Sequence, residues 1–260
     1  MASYFPGVKM KRYLKGLYMA FGMFCAIPLP FHLWDDACVN LVLPFFPIVG
    51  GLIGALWWGI AVALNLSGIH IMLAAAVVAL VPFLATGFLH LDGYMDTSDA
   101  ALSSRPIEDK LRILKDPYTG AFAVIMLAVL FILQFASVYV FLGKERNYVL
   151  LIILPVISRC CSALSVLCLK PMAQSSYANM FKQNTGMAHK IFILFIAITG
   201  IALSFFFSEV QGLIVAASVI LGFTAAMAFA YTNLKGVSGD LAGFALVIGE
   251  LCGLAALAII

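Results

Sequence analysis

The sequence predicts an all-α, polytopic helical membrane protein, and three observations carry that expectation. Hydrophobic residues make up 64% of the 260 positions and charged residues only 10%, with a mean hydropathy of +1.09. A soluble domain has about 45–50% apolar and about 25% charged residues. The apolar residues come in runs of about twenty, the length a helix needs to cross a bilayer; an outer-membrane barrel would need runs of about ten with strict alternation. The acidic residues are concentrated instead of spread, half of them falling between Gly87 and Phe122.

The elements follow in chain order. Lys9, Lys11, Arg12 and Lys15 precede an apolar stretch at 16–30 that ends in Ile-Pro-Leu-Pro. It is too short to cross, and its two prolines cannot propagate a helix, so an N-terminal interfacial or re-entrant helix is expected. No small-residue cleavage site stands out after the basic start, so no signal peptide is expected. Trp34, Asp35 and Asp36 form a polar break. About seven transmembrane helices are then expected, at 43–65, 69–89, 118–142, 147–168, 190–208, 211–232 and 241–260. In the first of these, Gly50 and Gly54 form a small-xxx-small face that lets a neighbouring helix approach closely. No internal repeat and no linker is visible, so residues 1–260 read as a single domain. The six cysteines show no metal-ligand spacing and mostly lie inside apolar runs, where they act as small hydrophobes.

Charge sets the expected orientation. With the N-terminus in the cytoplasm, the connections around 91–117, 169–190 and 233–240 share its side. That side collects Lys9, Lys11, Arg12, Lys15, Arg105, Lys110, Arg112, Lys115, Lys170, Lys182, Lys190 and Lys235, and the other keeps Lys144 and Arg146. The positive-inside rule then places the acidic stretch in the cytoplasm. The net charge of +3 is small and dispersed, so no nucleic-acid partner is expected.

Asp92, Asp96 and Asp99 are spaced i, i+4, i+7, which puts them within about 60° of one another on a helix. Three carboxylates on one face repel unless a cation lies among them, and carboxylate oxygens suit Mg²⁺, usually held by one or two carboxylates plus substrate phosphates. His90 lies two residues before Asp92 and on a continuous helix would face away from the triad. Asp116 opens the turn Asp116-Pro-Tyr-Thr-Gly120, and Arg105, Lys110, Arg112 and Lys115 stand nearby. Metal, carboxylates and cations together suit phosphoryl-group transfer. Arg159 lies midway along its apolar segment and Glu250 deep in the last one. Each demands a partner or a wet pocket: either they pair with each other, or Arg159 contacts a phosphate. Gly236-Val-Ser238-Gly-Asp240 opens the last helix, where small residues allow close backbone approach and a helix N-terminus suits an anion. Asp240 could also be the N-cap of that helix.

The motifs Gly87-Phe-Leu-His-Leu-Asp-Gly-Tyr-Met-Asp-Thr-Ser-Asp99, Lys110-Leu-Arg-Ile-Leu-Lys-Asp116-Pro-Tyr-Thr-Gly120 and Gly236-Val-Ser-Gly-Asp240 strongly resemble the cobalamin synthase (adenosylcobinamide-GDP ribazoletransferase) family. Ile27-Pro-Leu-Pro, Pro47-Ile-Val-Gly50 and Ser158-Arg159 extend the resemblance over nearly the whole chain. The chain departs from the family pattern at Ala26, Ala100, Ser238 and after Lys170-Pro171, where the family usually carries Arg, Gly, Thr and a Gly-rich continuation. The departures at 26 and 170–180 touch expected substrate contacts more than the metal site.

The resemblance implies Mg²⁺-dependent transfer of cobinamide phosphate from adenosylcobinamide-GDP to the 5′-hydroxyl of α-ribazole or its 5′-phosphate, with release of GMP. It implies Asp92, Asp96 and Asp99 as Mg²⁺ ligands, with Asp116 or Asp240 completing the shell. Lys115, Arg159, Gly236 and Ser238 would contact substrate, and His90 or an aspartate would take the hydroxyl proton. It also implies residence in the cytoplasmic (inner) membrane of a prokaryote, in contact with lipid, with the active site facing the cytoplasm; association into a homo-oligomer stays open. Two rival readings are weighed against it. A CDP-alcohol phosphotransferase would show D-G-x-x-A-R, whereas Asp92-Gly93 here runs into Met95-Asp96. An ion-coupled transporter would carry its carboxylates mainly at mid-membrane.

Overall fold

The computed structural model describes residues 11–144, 147–172 and 175–260; Lys9 and Arg146, used in the charge argument above, lie outside them. The described residues form ten α-helices, one 3-10 turn at Asp36–Cys38 and a single isolated bridge between Pro171 and Val237. An all-α membrane protein is what the composition predicts.

Helix α1 (Arg12–Phe24) has 13 residues, about 20 Å at 1.5 Å per residue and short of a bilayer core. Lys15 ties it to Asp35 at 2.8 Å. Helix α2 (Val39–Leu66) starts earlier than expected and runs through Pro44 and Pro47. Helix α3 (Ile71–Ala85) ends earlier, because Gly87 and Phe88 both take left-handed φ values, 59° and 63°. Glycine adopts that conformation without penalty and phenylalanine does not. Thr86 donates to the carbonyls of Pro82 and Phe83, satisfying acceptors the helix end would otherwise strand. The chain leaves this turn bent by 90° and enters α4 (Leu89–Leu102). Helix α4 therefore runs at about a right angle to α3.

Helix α5 (Ile107–Ile113) is a short surface turn, followed by α6 (Ala121–Leu142) and α7 (Leu150–Cys168). Gly50 and Gly54 do what their spacing predicts: a side chain at either would collide with the backbone of α7 at Pro155 and Ile152. Helix α8 (Ser176–Asn184) precedes α9 (Met187–Leu234), and α10 (Gly239–Ile259) closes the chain.

The two spans expected at 190–208 and 211–232 form the 48 residues of α9, broken at Ser208 and Glu209. Continuous, they would reach about 72 Å, more than twice a bilayer core. The break sits beside the α6–α7 connection, where Asn147 donates to the Phe207 carbonyl at 2.7 Å. The same connection holds the end of α10 through Lys144 and the Ala258 carbonyl at 2.8 Å. Both outer ends of α9 lie at the opposite end, His189 beside Asn40 and the residues after Leu234 beside Lys170. Among the described residues, five helices are long and apolar enough to cross, or six if the bent pair α3–α4 is one span. That count differs from the expected seven, and it enters α9 once.

Candidate active site

Helix α4 forms as a continuous helix across the acidic stretch, and its faces do different things. Gly93 and His90 lie against α10: a Cβ at Gly93 would sit 2.8 Å from the Asp240 backbone, and one at Gly243 would sit 3.3 Å from the His90 carbonyl. At 93 only glycine permits that approach, and at 243 a side chain would be tight. Tyr94 stacks on Phe244 at 5.6 Å and donates to the Met126 carbonyl of α6 at 3.0 Å. These contacts clamp α4 across the starts of α6 and α10.

The clamp brings Asp240 to the carboxylates of α4. Asp92 is exposed, and Asp96 and Asp99 are half-buried. Burial pushes the Asp96 carboxyl up to about 6, reinforced by the negative charges of Asp92, Asp240 and Asp99. Asp99 lies against Gly120 at the start of α6, where a helix N-terminus favours an anion. Asp116 acts locally, its Oδ1 accepting from the Tyr118 N–H at 3.0 Å and holding its own turn. Of the two aspartates expected to complete a metal shell, the fold therefore brings up Asp240.

The donor set fits Mg²⁺ in one form only. Among the described residues, no three His, Cys, Asp or Glu side chains are gathered closely enough to cage a metal. Held by one or two carboxylates and by substrate phosphates, the ion needs no such cage, and the mutual repulsion around Asp96 suits a cation there.

His90 faces away from the acids, as its spacing predicts. It is 8% exposed, packed between Phe24 and Phe46 at 6.3 and 5.6 Å, and among the described residues its Nε2 has no partner. It lines a cavity of about 460 Å³ whose walls come from α1, α2, α7, α8 and the start of α10. Lys115, Ser238 and Asp240 also line it, and the three α4 aspartates do not. Lys115 is exposed. Lys110 and Arg112 are committed elsewhere, Lys110 to Asn233 at 2.8 Å and to the Ala101 carbonyl, Arg112 to Asp109 at 2.9 Å.

The Gly236–Asp240 turn is pinned by backbone bonds between Val237 and both Lys170 and Met172, at 2.9 and 3.0 Å. Gly236 packs on Met172 too closely for any side chain. Ser238, not Asp240, caps α10, accepting from the Leu241 N–H at 3.3 Å. Its hydroxyl also donates to Asp240 Oδ2 at 3.2 Å. The cap leaves the Asp240 carboxylate exposed toward α4.

Arg159 is paired with Glu250. Ser158 donates to the same Glu250 oxygen at 2.7 Å, and Arg159 also reaches the Pro155 carbonyl at 3.2 Å. Of the two roles its position allows, the geometry favours the ion pair. Arg159 does not line the cavity, whereas Ser162, one turn further along α7, does.

Helix α8 supplies cavity residues that the sequence pattern did not reveal: Tyr177, Ala178 and Phe181. A signal was present in Ser175, which caps the helix, followed by apolar residues at 178 and 181.

The comparisons with known proteins cover the chain along nearly its whole length. A family model described as cobalamin-5-phosphate synthase matches residues 16–258. The chain belongs to that family. An adenosylcobinamide-GDP ribazoletransferase of Clostridium perfringens is 38% identical, over 96% of this chain and all of its own. The protein of that name from Lachnoclostridium phytofermentans is 34% identical over 92% of both chains. The one from Geobacillus kaustophilus is 28% identical over 93% of this chain and 94% of its own. No solved structure matches. Membership in the family makes this protein a transferase. At one end of the bundle α4 touches both the start of α10, through Gly93 and Asp240, and the 116–120 turn, through Asp99 and Gly120.

Proposed function

We propose that the protein transfers the cobinamide phosphate group of adenosylcobinamide-GDP to a ribose hydroxyl of α-ribazole or of α-ribazole 5′-phosphate, releasing GMP in a late step of cobalamin synthesis. The relatives' names supply the reaction. The observation that carries it to this chain is that Asp240 belongs both to the carboxylate group on α4 and to the wall of the cavity. A diphosphate at the acids and an acceptor in the cavity would thus meet at one residue.

In this reading the ribose oxygen attacks the phosphorus attached to cobinamide. A P–O bond forms to the ribose, the P–O bond to GMP breaks, and GMP leaves with the bonding pair. Asp240, the carboxylate at the cavity wall, takes the hydroxyl proton, and Ser238 orients it. Mg²⁺, when bound, neutralises charge on the diphosphate. Asp92 and Asp96 would hold it, with Asp99 kept in register by the start of α6. Lys115, at the cavity mouth, offsets the charge of the leaving phosphate.

The residues of the site come from the connections that carry most of the cations, which supports an active site facing the cytoplasm in a prokaryotic cell membrane. The outward faces of α6 and of both arms of α9 are largely exposed and apolar, which suits contact with lipid.

Purified protein in detergent, assayed for GMP with cobinamide-GDP and α-ribazole supplied separately and together, tests the reading. GMP should appear only with both substrates, and chelation of divalent metal should stop it. Equal release from the donor alone would make the protein a hydrolase and overturn the proposal.

A further inference from the structure

Resting on the transferase reading, we propose that the cavity behind His90 receives the flat, largely apolar bicyclic base of the acceptor nucleoside, and that the guanine of the donor lies outside it. Size is the first reason. About 460 Å³ falls in the range of about 300–1,000 Å³ that suits small ligands, and a corrin ring with its side-chain amides would not enter.

The chemistry of the wall is the second. Phe24, Phe46, Val166, Met172 and Phe181 make most of it apolar. Guanine carries several donors and acceptors on its edges, and each one buried without a partner costs about 1–3 kcal/mol. A dimethylated benzimidazole carries one free ring nitrogen and otherwise presents carbon, so it loses almost nothing on burial.

The wall also offers the single partner that such a base requires. His90 is more than nine-tenths buried, its ring is held between Phe24 and Phe46, and among the described residues its Nε2 has no hydrogen-bond partner. This nitrogen is closed to water as the ring stands, and turning the ring toward the base would remove the cost of leaving it unpaired. With the base seated there, the ribose points to the polar residues of the wall, Ser238, Asp240 and Lys115. Its attacking ribose hydroxyl is then presented to Asp240, on the side of the α4 carboxylates. His90 thereby acts as a specificity-determining contact to the acceptor.

The test uses Ala178→Leu, on a buried α8 residue of the cavity wall, with Val166→Phe as a second filling variant if the first fails to fold. Binding of α-ribazole to the detergent-solubilised protein is measured by calorimetry without donor, and KM is measured for each substrate. Filling the cavity should raise the Kd and KM for α-ribazole about tenfold or more and leave the KM for cobinamide-GDP within about twofold. His90→Phe should weaken α-ribazole binding in the same assay, and His90→Gln should recover part of it. A raised KM for cobinamide-GDP with unchanged α-ribazole binding would overturn the assignment, as would no change in either. Wild-type protein that binds α-ribazole in this cavity but releases no GMP would support the assignment while refuting the transferase reading.

Discussion

The Arg159–Glu250 pair is withdrawn from water while the carboxylates around Asp96 are only partly so, and the two groups are treated in opposite ways. Arg159 and Glu250 are 1% and 6% exposed, and their charges close on each other. Ser158 and the Pro155 carbonyl take up further bonds, and the Phe46 ring lies 5.7 Å from the guanidinium. Around Asp96, four carboxylates face one another, and among the described residues no ion pair reaches any of them. Lys110 and Arg112 stand close in sequence yet spend their charge on Asn233 and Asp109. A fold that neutralises one charged group so fully and leaves another open is using the first for structure. Under the proposed function, the second would hold a cation from outside.

Breaking each side separately sharpens this contrast. Asp96→Asn should give the largest effect, a loss of GMP release on the order of 10²–10³-fold. Its thermal midpoint should stay level or rise, because one of several like charges is gone. Activity and stability falling together would mean that the acids hold the fold as well.

Arg159→Ala should do the reverse. Leaving Glu250 buried without its partner costs about 3–5 kcal/mol of stability, read by thermal or denaturant unfolding in detergent. Arg159→Met combined with Glu250→Leu should recover most of that loss, because the pair is replaced and not broken. A normal melting temperature with activity lost in Arg159→Ala alone would move Arg159 to the substrate and dissolve the contrast.

Ser238→Ala should give the smallest effect and touch both kinds of role. Losing the cap of α10 costs about 1 kcal/mol. Losing the hydroxyl that holds Asp240 should lower kcat a few-fold with the KM for cobinamide-GDP unchanged. An unaltered kcat would remove Ser238 from the positioning of Asp240.

Much of the fold was legible because its signals are local. Apolar runs mark α2, α6, α7, α9 and α10, and the i, i+4, i+7 spacing of the aspartates marks one face of α4. The close crossing of α2 on α7 could be read from Gly50 and Gly54 alone. Helices α5 and α8 were not read: both are too short to show as apolar runs, and they announce themselves only through caps and charge placement. The end of α3 was misplaced by four residues because two successive left-handed residues stop it while the apolar run continues.

What the sequence determined by itself was the class, the family, the acidic helix and the separation of His90 from the aspartates, all of which follow from residue type and helical period. What only the tertiary structure decided was the partner of each charge. Asp240 joins the acids because Gly93 lets α10 come within contact of α4; Asp116 stays with its own turn; Arg159 closes on Glu250. Sequences state which charges exist, but a charge buried from water must be answered by whatever packing places beside it. For Asp96 and for Arg159 alike, that neighbour came from α10, far along the chain from either residue.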